Sequence, residues 1–230
     1  MKIVVISDIH SNFEALEAVL ERLPSYDELW CLGDIVGYGP EPNEVVGRLR
    51  ALGSRVVLMG NHDYAVATGD TEGFSPNAER AVDWTRRVIQ RSEREYLATL
   101  KPSAKFDIGE ITVGLYHGSP THPLTEYIYP SMGEAVVREL VRRGGASVVL
   151  LGHTHVPMLH TFADGLLANP GSVGQPRDGD PRASFAFLTI NGHNLNWETI
   201  RVDYDIDSVA KKIRESGLPG FLAERLYIGS

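Results

Sequence analysis

The chain has 230 residues, 43% of them hydrophobic, enough to bury a sizeable core as one domain spanning 1–230. Its 22 basic and 30 acidic side chains give a formal net charge of −8. That balance excludes a general nucleic-acid or membrane-surface binder, because no basic stripe is present to neutralise a polymer's phosphates.

The first apolar run, 3–6, reads as a buried strand and is interrupted by Asp8 before it could serve as an export signal or membrane span, so a cytoplasmic location is expected. Ser11 and Glu14 read as a capping box opening a helix with Phe13, Leu16, Leu20 and Leu23 on one face and Pro24 as its stop. Residues 29–32 form a second strand. They contain the lone Cys31, which excludes a disulfide framework and reads as an inert core thiol. Pro40 and Pro42 introduce a helix ending near Gly53, and 56–59 is a third strand. This strand–helix alternation predicts parallel βαβ units.

Residues 64–103 are richer in charge and form a helical insertion, with helices near 77–90 and 92–100, the second opened by Ser92 and Glu95. The insertion could act as a partial lid. Strands return at Ile111–Tyr116 and 148–151 around a helix at 132–143. The last third reads as a β-meander, with strands 156–162, 184–190 and 195–202 and turns at Asp164-Gly165 and Asn191-Gly192, closed by a helix near 207–215. An α/β fold with two sheets and outer helices accommodates these elements.

The chemistry lies just past the end of each apolar run, in Asp8-Ile9-His10, Gly33-Asp34, Gly60-Asn61-His62-Asp63, His117-Gly118 and Gly152-His153-Thr154-His155. Ligands in open α/β sheets gather at the carboxyl ends of strands, so these side chains converge on one rim. Imidazole, carboxylate and amide oxygen without thiolate suit manganese, zinc or iron. Seven candidate ligands are too many for one catalytic metal with an open position. They fit two cations sharing a carboxylate, which would attract a small anionic substrate such as a phosphate ester despite the acidic surface.

This motif set resembles that of the calcineurin-like metallophosphoesterases, compact bacterial and archaeal phosphodiesterase-type members in particular. The resemblance covers roughly 1–175. It implies a four-layer α/β/β/α sandwich of two mixed sheets, with a dinuclear site at the C-terminal ends of the strands. It assigns Asp8, His10, Asp34 and His155 to one metal and Asp34, Asn61, His117 and His153 to the other. Manganese is the expected metal, with iron, zinc or nickel as alternatives. The implied activity is hydrolysis of a phosphodiester or small phosphomonoester, nucleotide-like substrates included, by a hydroxide bridging the metals. His62 is the implied general acid, and Asp63 the carboxylate that orients it. A loop at Asn169-Pro170-Gly171-Ser172, followed by Arg177 and Arg182, also resembles the compact members.

Tyr38 and Arg177 are candidate substrate contacts, one by stacking and one by clamping a phosphate, whereas Arg182 reads as surface. His122, His160 and His193 read as loop or outward-facing strand residues outside the site. A homo-oligomer is left open. The alternative to an enzyme is a scaffold that keeps the fold without the chemistry, which would be expected to have lost ligands.

Overall fold

A computed structural model describes residues 1–230, with ten strands and eight α-helices. In chain order these are β1 (Lys2–Ile6), α1 (Phe13–Glu21), β2 (Glu28–Cys31), α2 (Pro42–Ala51), β3 (Val56–Val57), α3 (Asn61–Thr68), α4 (Pro76–Val88) and α5 (Arg91–Thr99). Next come β4 (Ser103–Ile108), β5 (Ile111–Tyr116), α6 (Glu134–Gly144), β6 (Val148–Leu150), β7 (Met158–Phe162) and β8 (Gly165–Asn169). The chain ends with β9 (Ala183–Asn191), β10 (Asn194–Val202), α7 (Ile206–Glu215), α8 (Phe221–Glu224) and a 3₁₀ turn at Arg225–Tyr227.

Two five-stranded mixed sheets result, ordered β10-β9-β1-β2-β3 and β4-β5-β6-β8-β7. The β1–β2, β2–β3, β5–β6 and β6–β8 pairs are parallel, and the remaining pairs antiparallel. Period-two alternation along β1 sorts its side chains between two layers. Ile3 and Val5 face the second sheet and pack with Trp30, Val113, Leu115, Val148 and Leu150 in a buried inter-sheet core. Val4 and Ile6 face the other way, onto Leu16 and Val19 of α1 and Val45 and Leu49 of α2. The outer face of the second sheet, through Val149 and Leu167, is covered by Val137 and Leu140 of α6. The layers therefore run α/β/β/α. Each fully buried aliphatic side chain stabilises the stack by roughly 1.5–3 kcal/mol, which fixes the strand ends that carry the site.

Several local expectations change. The last third is not one meander: β7 and β8 form a hairpin at the edge of the second sheet, while β9 and β10 complete the first. The missed strand β8 is buried from Leu166 to Asn169 and reads as a continuous apolar run without alternation, which periodicity cannot assign. β4 was also unforeseen. The cap of α1 is Asn12, not Ser11: its side chain accepts from Ala15 N, while Ser11 has φ 53° and lies outside the helix. Helix α5 starts at Arg91, so Ser92 lies inside its first turn and does not open it; its N-cap Gln90 makes no side-chain cap, and Gln90 N donates to Asn43 Oδ1 at 2.7 Å.

The stretch 64–103 packs largely against the first sheet's outer face, through Val66, Val82 and Leu97. Cys31 is buried on that same face, and burial pushes its thiol strongly upward, away from a reactive thiolate. No helix is long and apolar enough to cross a membrane.

Candidate metal centre

All seven predicted ligands sit just beyond strand C-termini, on the edge where both sheets end. Asp8 and His10 follow β1, Asp34 follows β2, and Asn61 begins α3 after β3. His117 follows β5, and His153 and His155 follow β6. Two groups of ligand atoms form, each with all members within 4.8 Å of one another: Asp8, His10, Asp34 and His155, and Asp34, His117 and His153. Asp34 belongs to both. Its Oδ2 lies 3.5 Å from His10 Nε2 and 3.4 Å from His117 Nε2. Asn61 Oδ1 joins the second group, 3.1 Å from His117 Nε2.

The backbone that delivers these side chains is under strain. Asp8, His10, Asp34, His153 and His155 all have φ between 49° and 67°, a region non-glycine residues seldom occupy. Each such residue costs of order 1–3 kcal/mol, and such strain clusters at functional sites. Other contacts over-determine it. Asp8 N donates to Gly33 O at 2.9 Å, His10 N to Asp34 O at 3.0 Å, and His153 N to Asp8 Oδ2 at 3.1 Å. The Asn169–Ser172 loop is a latch whose role was not foreseen. Asn169 Nδ2 donates to Gly152 O, and Ser172 Oγ to Asp8 O at 2.7 Å. Asn12 Nδ2 ties Gly174 O into the same frame.

Three histidines have their tautomers set by carbonyls, which can only accept. His10 Nδ1 donates to Val36 O (3.1 Å), His117 Nδ1 to Leu32 O (2.9 Å) and His155 Nδ1 to Gln175 O (2.6 Å). With neutral rings, His10 and His155 each turn an Nε2 lone pair inward. Burial drives His10 and His155 well below the ordinary imidazole range and His153 down to about 3. Hence His10 Nε2 and His155 Nε2, 3.1 Å apart, oppose two lone pairs with no proton between them. Asp8 Oδ1 lies 3.3 Å from His155 Nε2, and both it and His153 Nε2 are buried without a hydrogen-bond partner.

At His117, burial acts downward, but the Asp34 charge outweighs it and lifts the ring to about 9, so a proton can stand where the second cation would. Asp34 itself is held well below the usual carboxylate range: burial opposes ionisation, and the surrounding histidines, His117 foremost, overcome it. A cation in each group would satisfy these inward-facing lone pairs, and the donor set fits hard-to-borderline metals.

His62 is buried in the predicted place, its ring 4.3 Å from Tyr38, 4.9 Å from His10 and 4.8 Å from Phe74. The expected pairing with Asp63 is not found. Adjacent residues on α3 diverge by about 100°, and Asp63 instead accepts from Gly60 N, Ile35 N and Val36 N at 2.9–3.1 Å. It anchors the helix N-terminus to the loop after β2. Without a carboxylate partner, burial lowers His62 to about 4, and its Nδ1 has no hydrogen bond.

The centre opens on a cavity of about 600 Å³ walled by Tyr38, His62, Phe74, Tyr127, Arg177 and Arg225, among others. Tyr38 and Arg177 thus lie where substrate contacts were expected, with the Arg177 guanidinium 5.6 Å from the Tyr38 ring. Residues 72–75 of the predicted insertion and Ala78 in the first turn of α4 line part of the cavity wall, while α5 contributes nothing to it. Tyr127, stacked on His153 at 3.8 Å, and Arg225 were missed. Arg182 pairs with Asp180 on the surface, as expected, and His122 and His193 are largely exposed.

The sequence and fold have relatives. An uncharacterised protein of Methanocaldococcus jannaschii is 36% identical, over 99% of this chain and 98% of its own length. The crystal structure of a metallophosphoesterase from Sphaerobacter thermophilus superposes with a TM-score of 0.84 at 37% identity, each chain covered in full. A symmetrical bis(5'-nucleosyl)-tetraphosphatase of Baumannia cicadellinicola is 35% identical over 37% of this chain and 36% of its own. Residues 1–193 match the calcineurin-like phosphoesterase superfamily domain, and the chain belongs to that superfamily.

Proposed function

We propose that the chain hydrolyses a phosphate ester with two divalent cations held at the sheet rim, manganese foremost and iron, zinc or nickel as alternatives. Asp8, His10, Asp34 and His155 would hold one cation, and Asp34, Asn61, His117 and His153 the other. Bound there, the cations supply Lewis-acid neutralisation of the phosphate's charge. The observation that carries this reading is the facing pair of imidazole lone pairs on His10 and His155 beside a carboxylate shared with the second group.

The chain's own groups do the rest. Val36, Leu32 and Gln175 carbonyls orient three imidazoles. Asn61 supplies a neutral oxygen, leaving the site positive enough for an anion. His62, at the cavity wall, donates a proton to the leaving oxygen. Asp63 does not hold that proton in place, so the negative charge of the arriving phosphate has to raise the ring's proton affinity. Arg177 and Tyr38 flank the phosphate. A dinucleoside polyphosphate is one substrate to include, given the name of the partial relative.

The test is metal analysis of the purified protein, together with hydrolysis of p-nitrophenyl, bis-p-nitrophenyl and phenyl phosphate with Mn²⁺. Two metals per chain and turnover are expected. His62→Ala should keep its metals and slow phenyl phosphate more than p-nitrophenyl phosphate, with a total loss of about 10²–10⁴-fold on the poorer leaving group. Loss of metal in that variant would refute the role of His62. Full metal occupancy with no turnover of any ester would refute the enzyme reading and leave a binding scaffold.

A further inference from the structure

We propose that Arg177 and Arg225 form a subsite for a second phosphate, so that the preferred substrates carry at least two phosphates close together. This rests on the phosphoesterase reading above and adds a substrate class to it.

Several arginines pair with a side-chain carboxylate, among them Arg201 with Asp178, Arg48 with Glu17 and Arg50 with Glu93. Arg177 and Arg225 pair with no side-chain carboxylate, and what sets them apart is that both line the cavity beside the metal centre. The Arg177 guanidinium donates to the neutral Gln175 Oε1 at 2.9 Å, and its Nε is buried with no acceptor at all. Arg225 Nε donates to the Ser230 backbone oxygen, and its two terminal nitrogens make no hydrogen bond. Both line the cavity that opens from the metal centre, whose only carboxylate is Glu72 on the exposed rim. Burial and the neighbouring Arg177 charge lower Arg225 to about 10, as expected of two cations lining one cavity.

Arg225 is held there by packing. It follows α8 between the buried Leu222 and Leu226, which pack with Val209 and Ile213 of α7 and Ala81 of α4. Gly179 N donates to Gly229 O at 2.9 Å, tying this segment to the loop that carries Arg177. The C-terminal residues and the helical insertion thus build one apolar support whose polar product at the cavity is a guanidinium.

Position sets the ligand. Arg177 N donates to His155 O at 3.2 Å, and its guanidinium lies over Tyr38, whose ring is 4.7 Å from His10. A group bound by Arg177 is one aromatic ring away from the candidate metals, so it neighbours the reacting phosphate. A carboxylate would occupy a single guanidinium fork, whereas a phosphate with three terminal oxygens can engage two forks at once.

Calorimetric titration of the manganese-loaded protein with inorganic pyrophosphate and with orthophosphate tests this, and is repeated after EDTA stripping because pyrophosphate also binds Mn²⁺. Wild type should bind pyrophosphate at least about tenfold more tightly than orthophosphate, and Arg225→Gln should remove most of that preference in both metal states. Arg225→Lys, which keeps the charge and stem but not the fork, should fall between them; it decides the matter if circular dichroism shows the Gln variant misfolded. No wild-type preference, or a preference unchanged by these substitutions, overturns the subsite. Failure of the hydrolase reading would appear separately, as full metal occupancy in wild type with no turnover of p-nitrophenyl, bis-p-nitrophenyl or phenyl phosphate.

Discussion

Asp34→Asn gives the sharpest test of a shared two-cation centre. Asp34 contributes to both ligand groups, whereas Asp8 contributes to one. Asparagine has nearly the same shape and keeps an oxygen for the His62 N–H, now 2.9 Å from Asp34 Oδ1, so the fold should survive. The substitution also removes the charge that pairs with His117, which lowers the metal-free baseline, so each variant's metal-induced rise is measured from its own EDTA-stripped melting temperature. Saturation of one site at a free metal concentration of 100 times Kd stabilises the folded state by about 2.7 kcal/mol, and two sites by about 5.4. At about 2–4 °C per kcal/mol for a chain of this size, Mn²⁺ should raise the melting temperature of EDTA-stripped wild type by about 11–22 °C. Asp8→Asn should keep roughly half of that rise, and Asp34→Asn little of it. Calorimetric melting, paired with metal stoichiometry by mass spectrometry, reads both quantities. If Asp34→Asn showed the full manganese-induced rise with two equivalents bound, the shared-carboxylate geometry would be wrong.

Gly60→Ala should weaken metal binding at both groups although its backbone, at φ −91° and ψ 175°, accepts alanine without strain. The added Cβ would fall on the Asp34 carboxylate and amide, with an overpacking cost of typically 1–3 kcal/mol; full metal occupancy in that variant would contradict this. Asn12→Ala removes both the α1 cap and the donor to Gly174 O, and should cost about 1–3 kcal/mol in urea unfolding with an unchanged slope.

The ion cluster between α1, α2 and α7 predicts a pH effect away from the metals. Burial, then the neighbouring Glu14, raises Glu41 from 4.5 to about 7, while Glu14 is lowered and Lys212 raised. The folded state therefore holds the Glu41 proton more tightly than the unfolded chain, and this group's contribution to stability is lost as pH rises from about 4.5 to 7. Glu41→Gln should gain stability relative to wild type between pH 5 and 8, and a difference that is flat or falling with pH would refute the assignment. The Glu14 contribution runs the other way and fades only below its ordinary range.

Legibility in the sequence tracked the locality of the cause. Asp8, Asp34 and His117 could be found because each ends an apolar run, and a strand terminus is encoded by the residues on either side of it. The convergence of five such ends needed only the rule that parallel strands present their carboxyl ends to one rim. Asp63 shows the limit. Its neighbourhood in sequence suggested a partner for His62, but the start of α3 at Asn61 turns the two side chains apart and leaves the carboxylate nearer to backbone amides across the loop after β2. Strand β8 was hidden because its apolar run serves a buried parallel pairing with β6, which leaves no alternation to read.

Arg225 lies furthest from local encoding. Nothing around it in sequence distinguishes it from a surface arginine, and Glu224 beside it cannot face it along a helical turn. Its place at the cavity depends on Leu222 and Leu226 finding α7 and Ala81 of α4, the latter more than 140 positions away. The ligand atoms are thus set by strand ends, which local pattern encodes well. The groups that would choose among substrates are set by helix-on-helix packing at the periphery, which only the folded chain displays. The two layers can diverge independently. Substitutions in the α4–α7–α8 cluster, such as Ala81 to a larger residue, should therefore shift the preference between pyrophosphate and orthophosphate while metal stoichiometry stays at its wild-type value. A joint change in both would mean that the peripheral packing also holds the centre itself.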